Sequence, residues 1–280
     1  MAMHYPTDRY VFAPVLSDDP ACVVKDKKLR EYCQQKVTWF DWSRGGCREI
    51  DQTLALLREL EQRLGSCVEW VSAPFTIDQT IRGQVDRVIA PCFDRSATKT
   101  GMLPNSRARF CTQAHKIFAI GWHVWLTGTG YPCLMNIGFR ADEAQRADGW
   151  TCDKDKMRVP TRCDISGSYA GKNRHEWIDY RISDFPLIRD GITKRMVQAF
   201  WIRQGWQFPT VSNCDFCFFH KASQHRHQAD LYPDQMQWWI NMEKDIGATF
   251  GKKSLQAIIN DPQESLFEPD LEQFSCHCTD

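Results

Sequence analysis

The sequence lacks three features that would assign it quickly to a class of proteins. Its formal charge is zero, because 35 basic and 35 acidic residues balance, which argues against a strongly basic nucleic-acid surface. It has no apolar run of the length that a membrane span requires. Its first residues, MAMHYPTDRYVF, do not show the basic-then-apolar pattern of a signal peptide. We therefore expect a cytoplasmic protein that does not contact a membrane.

Cysteine, by contrast, is abundant, with 13 among 280 residues. An odd number of cysteines without an export signal argues against a disulfide framework, because the cytosol keeps thiols reduced. Metal ligation or thiol chemistry is expected for some of these cysteines, and burial as small apolar side chains for the rest.

The order of the predicted elements indicates an α/β fold. The predicted strands cover 10–16, 36–42, 67–73 and 132–140, and the predicted helices cover 22–35 and 49–64. Strands that alternate with helices favour parallel pairing with helices on both faces of the sheet. Residues 141–185 are polar and are predicted to form loops. Two further helices are predicted, one from the cap residue Asp190 to Gly205 and one from near Pro233 to Ile246.

Two cysteines in the segment SNCDFCFFH, residues 212–220, have the spacing of metal ligands. Cys214 and Cys217 can reach one metal from a single turn, as in zinc and iron–sulfur sites. The alternatives are two buried thiols that flank Phe216, or a redox pair. Because this pair supplies only two ligands, a metal would need others. The candidates are Cys111 in RFCT, and Cys276 and Cys278 in the C-terminal CHC, unless that terminus is only a solvated tail.

Basic residues cluster in two segments that suit an anionic ligand. In RARFCTQAHK, residues 107–116, Arg109 and Lys116 surround Cys111. In NIGFRADEAQR, residues 136–146, Arg140 and Arg146 follow a predicted strand. Guanidinium groups just beyond a strand end match phosphate or sulfate oxygens. The alternative is a solvated, salt-bridged loop, since carboxylates lie nearby in the sequence.

Four segments in this order resemble the phosphoadenylyl-sulfate (PAPS) reductase family, and more narrowly its phage and mobile-element branch. They are RFCT with the following lysine, IGFRADE with the following arginine, PLIRDGITKRMVQAFWIRQGWQFP, and SNCDFCFFH. The wider group is the adenine-nucleotide alpha-hydrolase, or PP-loop, superfamily. The resemblance extends from about Tyr10 to the C-terminus and is strongest from Leu103 to His220.

The resemblance implies a fold and a division of the chain. It implies a Rossmann-like, doubly wound, mostly parallel sheet over residues 1–189 that binds an adenine nucleotide beside its first strand. A cysteine-containing helical region over residues 190–280 follows, and we expect the two regions to form one continuous globular unit.

The resemblance also implies roles for individual residues. The implied nucleotide or anion contacts are Ser17, Arg109, Lys116, Gly138, Arg140, Asp142 and Arg146. The implied cofactor is a [4Fe–4S] cluster, with zinc as the alternative. Cys111 stands where the reductases have a paired cysteine, so Cys276 or Cys278 would supply the missing ligand. We assign Cys278 to the metal with Cys111, Cys214 and Cys217, and Cys276, next to His277, to catalysis.

One departure from the family bears on activity. Where the family has a loop of the type SGGKDS after the first strand, this sequence has SDDPAC, residues 17–22. Both glycines and the lysine are missing, and Asp18 and Asp19 bring carboxylates that oppose pyrophosphate charge. We therefore expect no ATP pyrophosphatase activity, unless WSRGGC, residues 42–47, is the true binding loop.

Two functions are consistent with these features. The first is a PAPS reductase-like enzyme of sulfur metabolism, acting in sulfur transfer or reduction on an anionic small molecule or adenine nucleotide. The second is a catalytically degenerate PP-loop fold that serves as a structural or binding subunit of a larger assembly, which reaches nucleic acid through a partner.

Overall fold

The computed structural model is a mixed α/β structure. It describes residues 9–48, 51–65, 68–72, 77–81, 84–89, 93–105, 110–127, 132–148, 155–163, 173–206, 214, 216–251 and 253–261. Its contacts divide the chain into two units, which we call the site unit (residues 8–119 and 209–280) and the hairpin unit (residues 1–7 and 120–208). The predicted boundary after residue 189 falls inside the hairpin unit, and that division stays a prediction. Among the described helices, none is long and apolar enough to cross a membrane.

The N-terminal part of the site unit follows the predicted order of strands and helices. Strand β1 (Tyr10–Phe12) pairs in parallel with β4 (Val68–Trp70), and helices α1 (Lys27–Lys36) and α2 (Asp51–Leu64) lie in the connection between them. Asp26 caps α1, since its carboxylate accepts a hydrogen bond from the Leu29 backbone. The apolar faces of these elements form one core cluster, which includes Leu16, Val24, Leu29, Phe40, Trp42 and Leu54.

The strand predicted over 36–42 is wrong, because Lys36 is the last residue of α1 and residues 37–42 form bends and turns. The Phe40 backbone N–H and the Trp42 indole both donate to the Val37 carbonyl, which closes the chain on itself. Val37, Phe40 and Trp42, which suggested a strand, are buried in the core cluster although the backbone that carries them forms turns, whereas Trp39 is exposed. The strand here is the short β3 (Gly46–Cys47), which pairs antiparallel with β2 (Leu16–Ser17).

The rest of the site unit is mainly helical. Its remaining elements are β5 (Ile77–Ile81), β6 (Gln84–Ile89), α3 (Phe93–Thr100), α4 (Phe110–Thr112), α9 (Ala222–Leu231), α10 (Pro233–Ile246) and α11 (Leu255–Asn260). A π-helical turn, Gln113–Ile117, follows α4. It leads into α5 (Phe118–Thr127), most of which belongs to the hairpin unit. The helix predicted to start at Pro233 is confirmed and ends where Gly247 adopts φ +71°. The helix α9 was not predicted.

The hairpin unit contains more strands than the sequence predicted. The strand predicted over 132–140 is present as β7 (Cys133–Asn136), and it pairs in parallel with β10 (Arg181–Asp184). The predicted loop over 141–185 is partly wrong, because β8 (Lys156–Cys163) and β9 (Asn173–Asp179) form an antiparallel pair there. Strand β8 contains Pro160, and a proline within a segment argues against a strand because it has no backbone N–H to donate.

Besides α5, the described residues of the hairpin unit form the helices α6 (Ala144–Asp148), α7 (Pro186–Arg189) and α8 (Lys194–Arg203). The predicted cap Asp190 is wrong, because it ends α7 and Thr193 precedes α8. Gly191, at φ +65°, lets the chain turn between the two helices. The predicted end at Gly205 is confirmed, with φ +73°.

Candidate functional site

Three of the predicted metal ligands line a single small cavity in the site unit. Cys111 comes from α4, whereas Cys214 and Cys217 come from the loop before α9, so residues distant in sequence meet at one place. The cavity has a volume of about 40 Å³, which is room for a single ion or a few waters. A whole nucleotide does not fit into it.

Lys116 faces one of these thiols. Its Nζ lies 3.7 Å from the Sγ of Cys214, and both residues line the cavity. The π-helical turn, which begins two residues after Cys111 and contains Lys116, brings both side chains to the same cavity. An ammonium at this distance stabilises a thiolate electrostatically. The predicted lysine is therefore beside the predicted cysteines.

The buried surroundings oppose charge on the other groups near the cavity. Burial, and next the neighbouring Cys214, raise the pKa of the Cys111 thiol to about 11. Burial, and next Lys116, lower the pKa of His115 to about 4, so this histidine is neutral at pH 7. A thiol like Cys111 becomes a thiolate at neutral pH only when a metal replaces its proton.

The loop that carries Cys214 and Cys217 has an uncommon backbone. Phe216, between the two cysteines, is fully buried and has φ +47°. Its N–H donates to the side-chain oxygen of Gln228, 3.0 Å away, and the same oxygen lies 3.0 Å from Nδ1 of His220. The His220 N–H closes a turn onto the Cys217 carbonyl at 2.8 Å. Gln228 on α9 therefore fixes the cysteine loop.

The rest of the cavity wall is mainly aromatic and includes a buried cation, with Val15, Pro104 and Thr112 as its other members. The aromatic lining consists of Phe93, Phe218, Phe219, Trp239 and Phe250. The Arg48 guanidinium also lines the cavity and lies 3.9 Å from the ring centre of Trp238. Its charge is balanced by the carboxylate of Asp19, 3.4 Å away.

The Ser17–Cys22 loop lies next to this cation. The carboxylate of Asp19 is buried and also caps the turn at Ala21, whose N–H lies 2.9 Å away. Burial raises the pKa of Asp19, and the charge of Arg48 acts against that rise. The two glycines of WSRGGC pack against this loop, since a Cβ on Gly46 would lie 1.8 Å from the Cys22 carbonyl oxygen. The close approach of the two backbone segments is therefore sufficient to explain why position 46 is a glycine.

The predicted anion residues of the hairpin unit pair with carboxylates. Arg140 contacts Asp142 at 3.3 Å and Glu143 at 3.0 Å. Arg146 contacts Glu143 at 2.6 Å and lies over the ring of Phe139. These contacts are those of the salt-bridged loop that we considered as the alternative. Gly138, just before them, is exposed. Their role in anion binding stays a prediction.

Several predicted site residues lie outside the described residues, namely Arg109, Cys276, His277 and Cys278. Within the described part of the chain, no three Cys, His, Asp or Glu side chains are grouped closely enough to hold a metal ion. Of the implied nucleotide contacts, Ser17 and Lys116 belong to the site unit, whereas Gly138, Arg140, Asp142 and Arg146 belong to the hairpin unit.

The sequence did not point to three residues that shape the site. They are Arg48, Gln228 and Asp94, whose carboxylate accepts a hydrogen bond from Ser17 Oγ at 2.8 Å. Arg48 directly follows the WSRGGC segment, which the sequence had indicated as a possible binding loop. The burial of Arg48 could not be predicted from this position. Gln228 lies on the unpredicted helix α9, and Asp94 has no motif around it.

Comparison of the chain with protein-family models, with curated proteins and with solved structures finds no match.

Proposed function

We propose that this chain is a cysteine-ligated metal protein of sulfur chemistry that acts like a PAPS reductase. The observation that carries the proposal is the meeting of Cys111, Cys214 and Cys217 at one cavity, with Lys116 Nζ 3.7 Å from Cys214 Sγ. Cys278 is the proposed fourth ligand.

The thiol ligands suit a [4Fe–4S] cluster, with zinc as the alternative. The cavity of about 40 Å³ has room for a single ion as it stands, so a cluster would require the loop of Cys214 and Cys217 to rearrange. Thiolate ligands suit both, and the aromatic wall of the cavity restricts access of water, which favours a cluster. The three described thiols do not form a closed ligand group by themselves, so the loop of Cys214 and Cys217 has to close around the metal. Such a centre would stabilise the cysteines as thiolates by coordinating their sulfur atoms. Lys116 would donate a hydrogen bond to the Cys214 sulfur.

The proposed substrate is an anionic small molecule or an adenine nucleotide. Lys116 and Arg109 are the proposed anion contacts of the site unit, and Arg140 and Arg146 are those of the hairpin unit. Cys276 is the proposed catalytic thiol. A Rossmann-like, doubly wound sheet remains part of this proposal, supported in the site unit by the parallel pairing of β1 with β4 across two helices.

Metal analysis of anaerobically purified protein tests this proposal. We expect about four iron and four sulfide ions per chain, or about one zinc ion, and an absorption spectrum that tells the two apart. Cys111→Ser, Cys214→Ser and Cys217→Ser should each lower the metal content. Cys133→Ser is the matched control, because Cys133 is a half-buried thiol of the hairpin unit. Wild-type protein that holds no metal even after reconstitution with iron and sulfide would refute the metal centre.

A second function is favoured by a specific observation: the Ser17–Cys22 loop holds the protein's own Asp94 carboxylate. This favours a catalytically degenerate subunit of a larger assembly, whose metal stabilises the fold. Incubation of the metal-loaded protein with a sulfonucleotide and a dithiol reductant separates the two functions. Sulfite release supports the enzyme, whereas a metal-loaded but inactive protein supports the binding subunit.

A further inference from the structure

The outer face of helix α8 in the hairpin unit carries two arginines on one stripe. The exposed residues of this helix are Arg195, Met196, Ala199, Ile202 and Arg203. Arg195, Ala199 and Arg203 follow one another at intervals of four residues, so they align along the helix, and the two arginines lie about 12 Å apart along its axis. Met196 and Ile202, which are 48% and 67% exposed, lie on either side of this stripe. The outer face of α8 therefore has a cationic centre and aliphatic margins.

No carboxylate balances these two arginines within the described part of the chain. Neither Arg195 nor Arg203 forms an ion pair there. Arg189 on the neighbouring α7 is also exposed, but it pairs with Asp184 at 2.9 Å. The sequence has no acidic residue from position 191 to position 214. Because the whole chain is formally neutral, the positive charge of this face is a local feature.

The position of Arg195 is unfavourable for the helix that carries it. Arg195 belongs to the first turn of α8, which contains no acidic residue, and the positive end of the helix dipole repels a cation at this place. The side chain of Thr193, which precedes the helix, makes no capping hydrogen bond that would compensate. Helix stability therefore does not account for this arginine, whereas contact with an anionic partner does.

The order of side chains across the face distinguishes between two kinds of anionic surface. A helix that lies on a membrane buries an apolar centre and places its cations at the margins, where they reach the headgroups. On α8 the arginines occupy the centre, and Met196 and Ile202 occupy the margins. Guanidinium groups match the oxygens of phosphates that approach them directly, and the small Ala199 between them leaves room for a close approach. The face therefore suits a chain of phosphates better than a lipid surface.

We propose that the outer face of α8 binds the phosphate backbone of a nucleic acid, with Arg195 and Arg203 each contacting one phosphate. Binding of this kind does not depend on the base sequence, because its contacts are made with phosphates. The proposal goes beyond the functions proposed above, in which only a partner contacts nucleic acid, and it is independent of the metal centre.

The salt dependence of nucleic-acid binding tests the proposal. Fluorescence anisotropy measures the affinity for short labelled duplex DNA, single-stranded DNA and single-stranded RNA between about 50 and 200 mM salt. We expect wild type to bind at least one of the three probes, with an affinity that falls as the salt concentration rises. Arg195→Gln and Arg203→Gln should each reduce the slope of log affinity against log salt by about 1, and the double variant by about 2.

Two further variants separate the stripe from net charge and from folding. Arg195→Lys keeps the charge and should keep the slope. Arg63→Gln removes the same charge from an exposed arginine of α2, which pairs with Glu59, and should also leave the slope unchanged. Because Arg195 and Arg203 are exposed, their variants should unfold at the same temperature as wild type. An equal loss of affinity in Arg63→Gln would mean that net charge alone is responsible, and the proposal would fail.

Vesicles of phosphatidylserine and phosphatidylcholine test the membrane alternative. We expect no vesicle binding that depends on the two arginines. Vesicle binding that the double variant loses, without binding to any nucleic acid, would show that the face contacts lipid and would overturn the proposal. Absence of wild-type binding to all three nucleic-acid probes at about 50 mM salt, or equal slopes for wild type and the double variant, would overturn it as well.

Discussion

The side-chain oxygen of Gln228 lies 3.0 Å from the backbone nitrogen of Phe216, the residue just before Cys217. Both side chains are fully buried. The same oxygen also contacts Nδ1 of His220, which follows the second cysteine by three residues. One glutamine on α9 therefore holds the cysteine loop from both sides of Cys217.

Replacement of Gln228 by alanine should destabilise the site unit and loosen the cysteine loop. The Phe216 N–H would lose its partner in a buried place, which costs about 1–3 kcal/mol. We expect a lower urea midpoint for unfolding, together with a lower content of bound metal. The control is Gln237→Ala on α10, an exposed glutamine whose amide contacts Asn241. Equal midpoints for the two variants would contradict this role of Gln228.

Phe216 should tolerate glycine better than alanine. Both substitutions remove the buried ring, at a cost of about 3–5 kcal/mol, but only glycine adopts φ +47° without strain. The left-handed conformation costs a residue with a Cβ about 1–2 kcal/mol. We therefore expect Phe216→Gly to be the more stable variant by about 1 kcal/mol in urea unfolding.

The same pair of substitutions at Trp239 provides a control. Trp239 is also buried, but it lies in the middle of α10, where glycine is less favourable than alanine by about 1 kcal/mol. The order of the two variants should therefore reverse. A more stable Phe216→Ala would show that the positive φ of this loop does not persist in solution.

Gly46 should not accept a methyl group. A Cβ at this position would lie 1.8 Å from the Cys22 carbonyl oxygen. The oxygen belongs to the backbone and the Cβ is bonded directly to the backbone, so neither atom can move aside cheaply. We expect Gly46→Ala to lower the stability by about 3 kcal/mol or more. Gly251→Ala is the control, because its nearest neighbour is 3.9 Å away, and its effect should stay within about 0.5 kcal/mol. Comparable unfolding midpoints would argue against the close packing of β3 on the Ser17–Cys22 loop.

Local patterns in the sequence predicted the elements that carry strong local signals. Helices α2 and α10 have apolar periodicity and end at glycines, so their ends were predicted well. The segment 36–42 has strand-forming residues, but tertiary burial of Phe40 and Trp42 folds it into turns. The β8–β9 pair was missed because its strands are polar and one contains Pro160.

The candidate site was predictable only in part for a similar reason. The spacing of Cys214 and Cys217 is a local signal, and Cys111 and Lys116 belong to a recognisable segment. The contact of Asp94 with Ser17 joins residues that are 77 positions apart. No local sequence pattern predicts a contact over that distance. The same applies to Arg48, whose position among aromatic rings depends on helix α10 packing beside it.

Glu61 should make the stability of the site unit depend on pH. Its carboxylate accepts hydrogen bonds from Lys36 Nζ at 2.5 Å, from the Tyr32 hydroxyl at 2.7 Å and from the Val68 backbone at 2.5 Å. Burial alone would raise the pKa of Glu61, but these hydrogen bonds outweigh it and lower that pKa below the usual value. In the relevant pH range the unfolded chain therefore binds more protons than the folded chain.

The charged Glu61 therefore stabilises the folded protein at pH values above about 4.3, the pKa of a glutamate in the unfolded chain. This stabilisation is lost as the pH falls through the lower pKa that Glu61 has in the folded protein. Glu61→Gln keeps the size of the side chain but removes the charge, and we expect it to be less stable by about 1–3 kcal/mol at pH 7. Urea unfolding of both proteins from pH 7 to pH 3 should show this difference shrinking toward acid pH. Glu59→Gln, which breaks an exposed pair with Arg63, should change the stability by less than about 0.5 kcal/mol. A difference between wild type and Glu61→Gln that stays constant over the whole range would refute the lowered pKa.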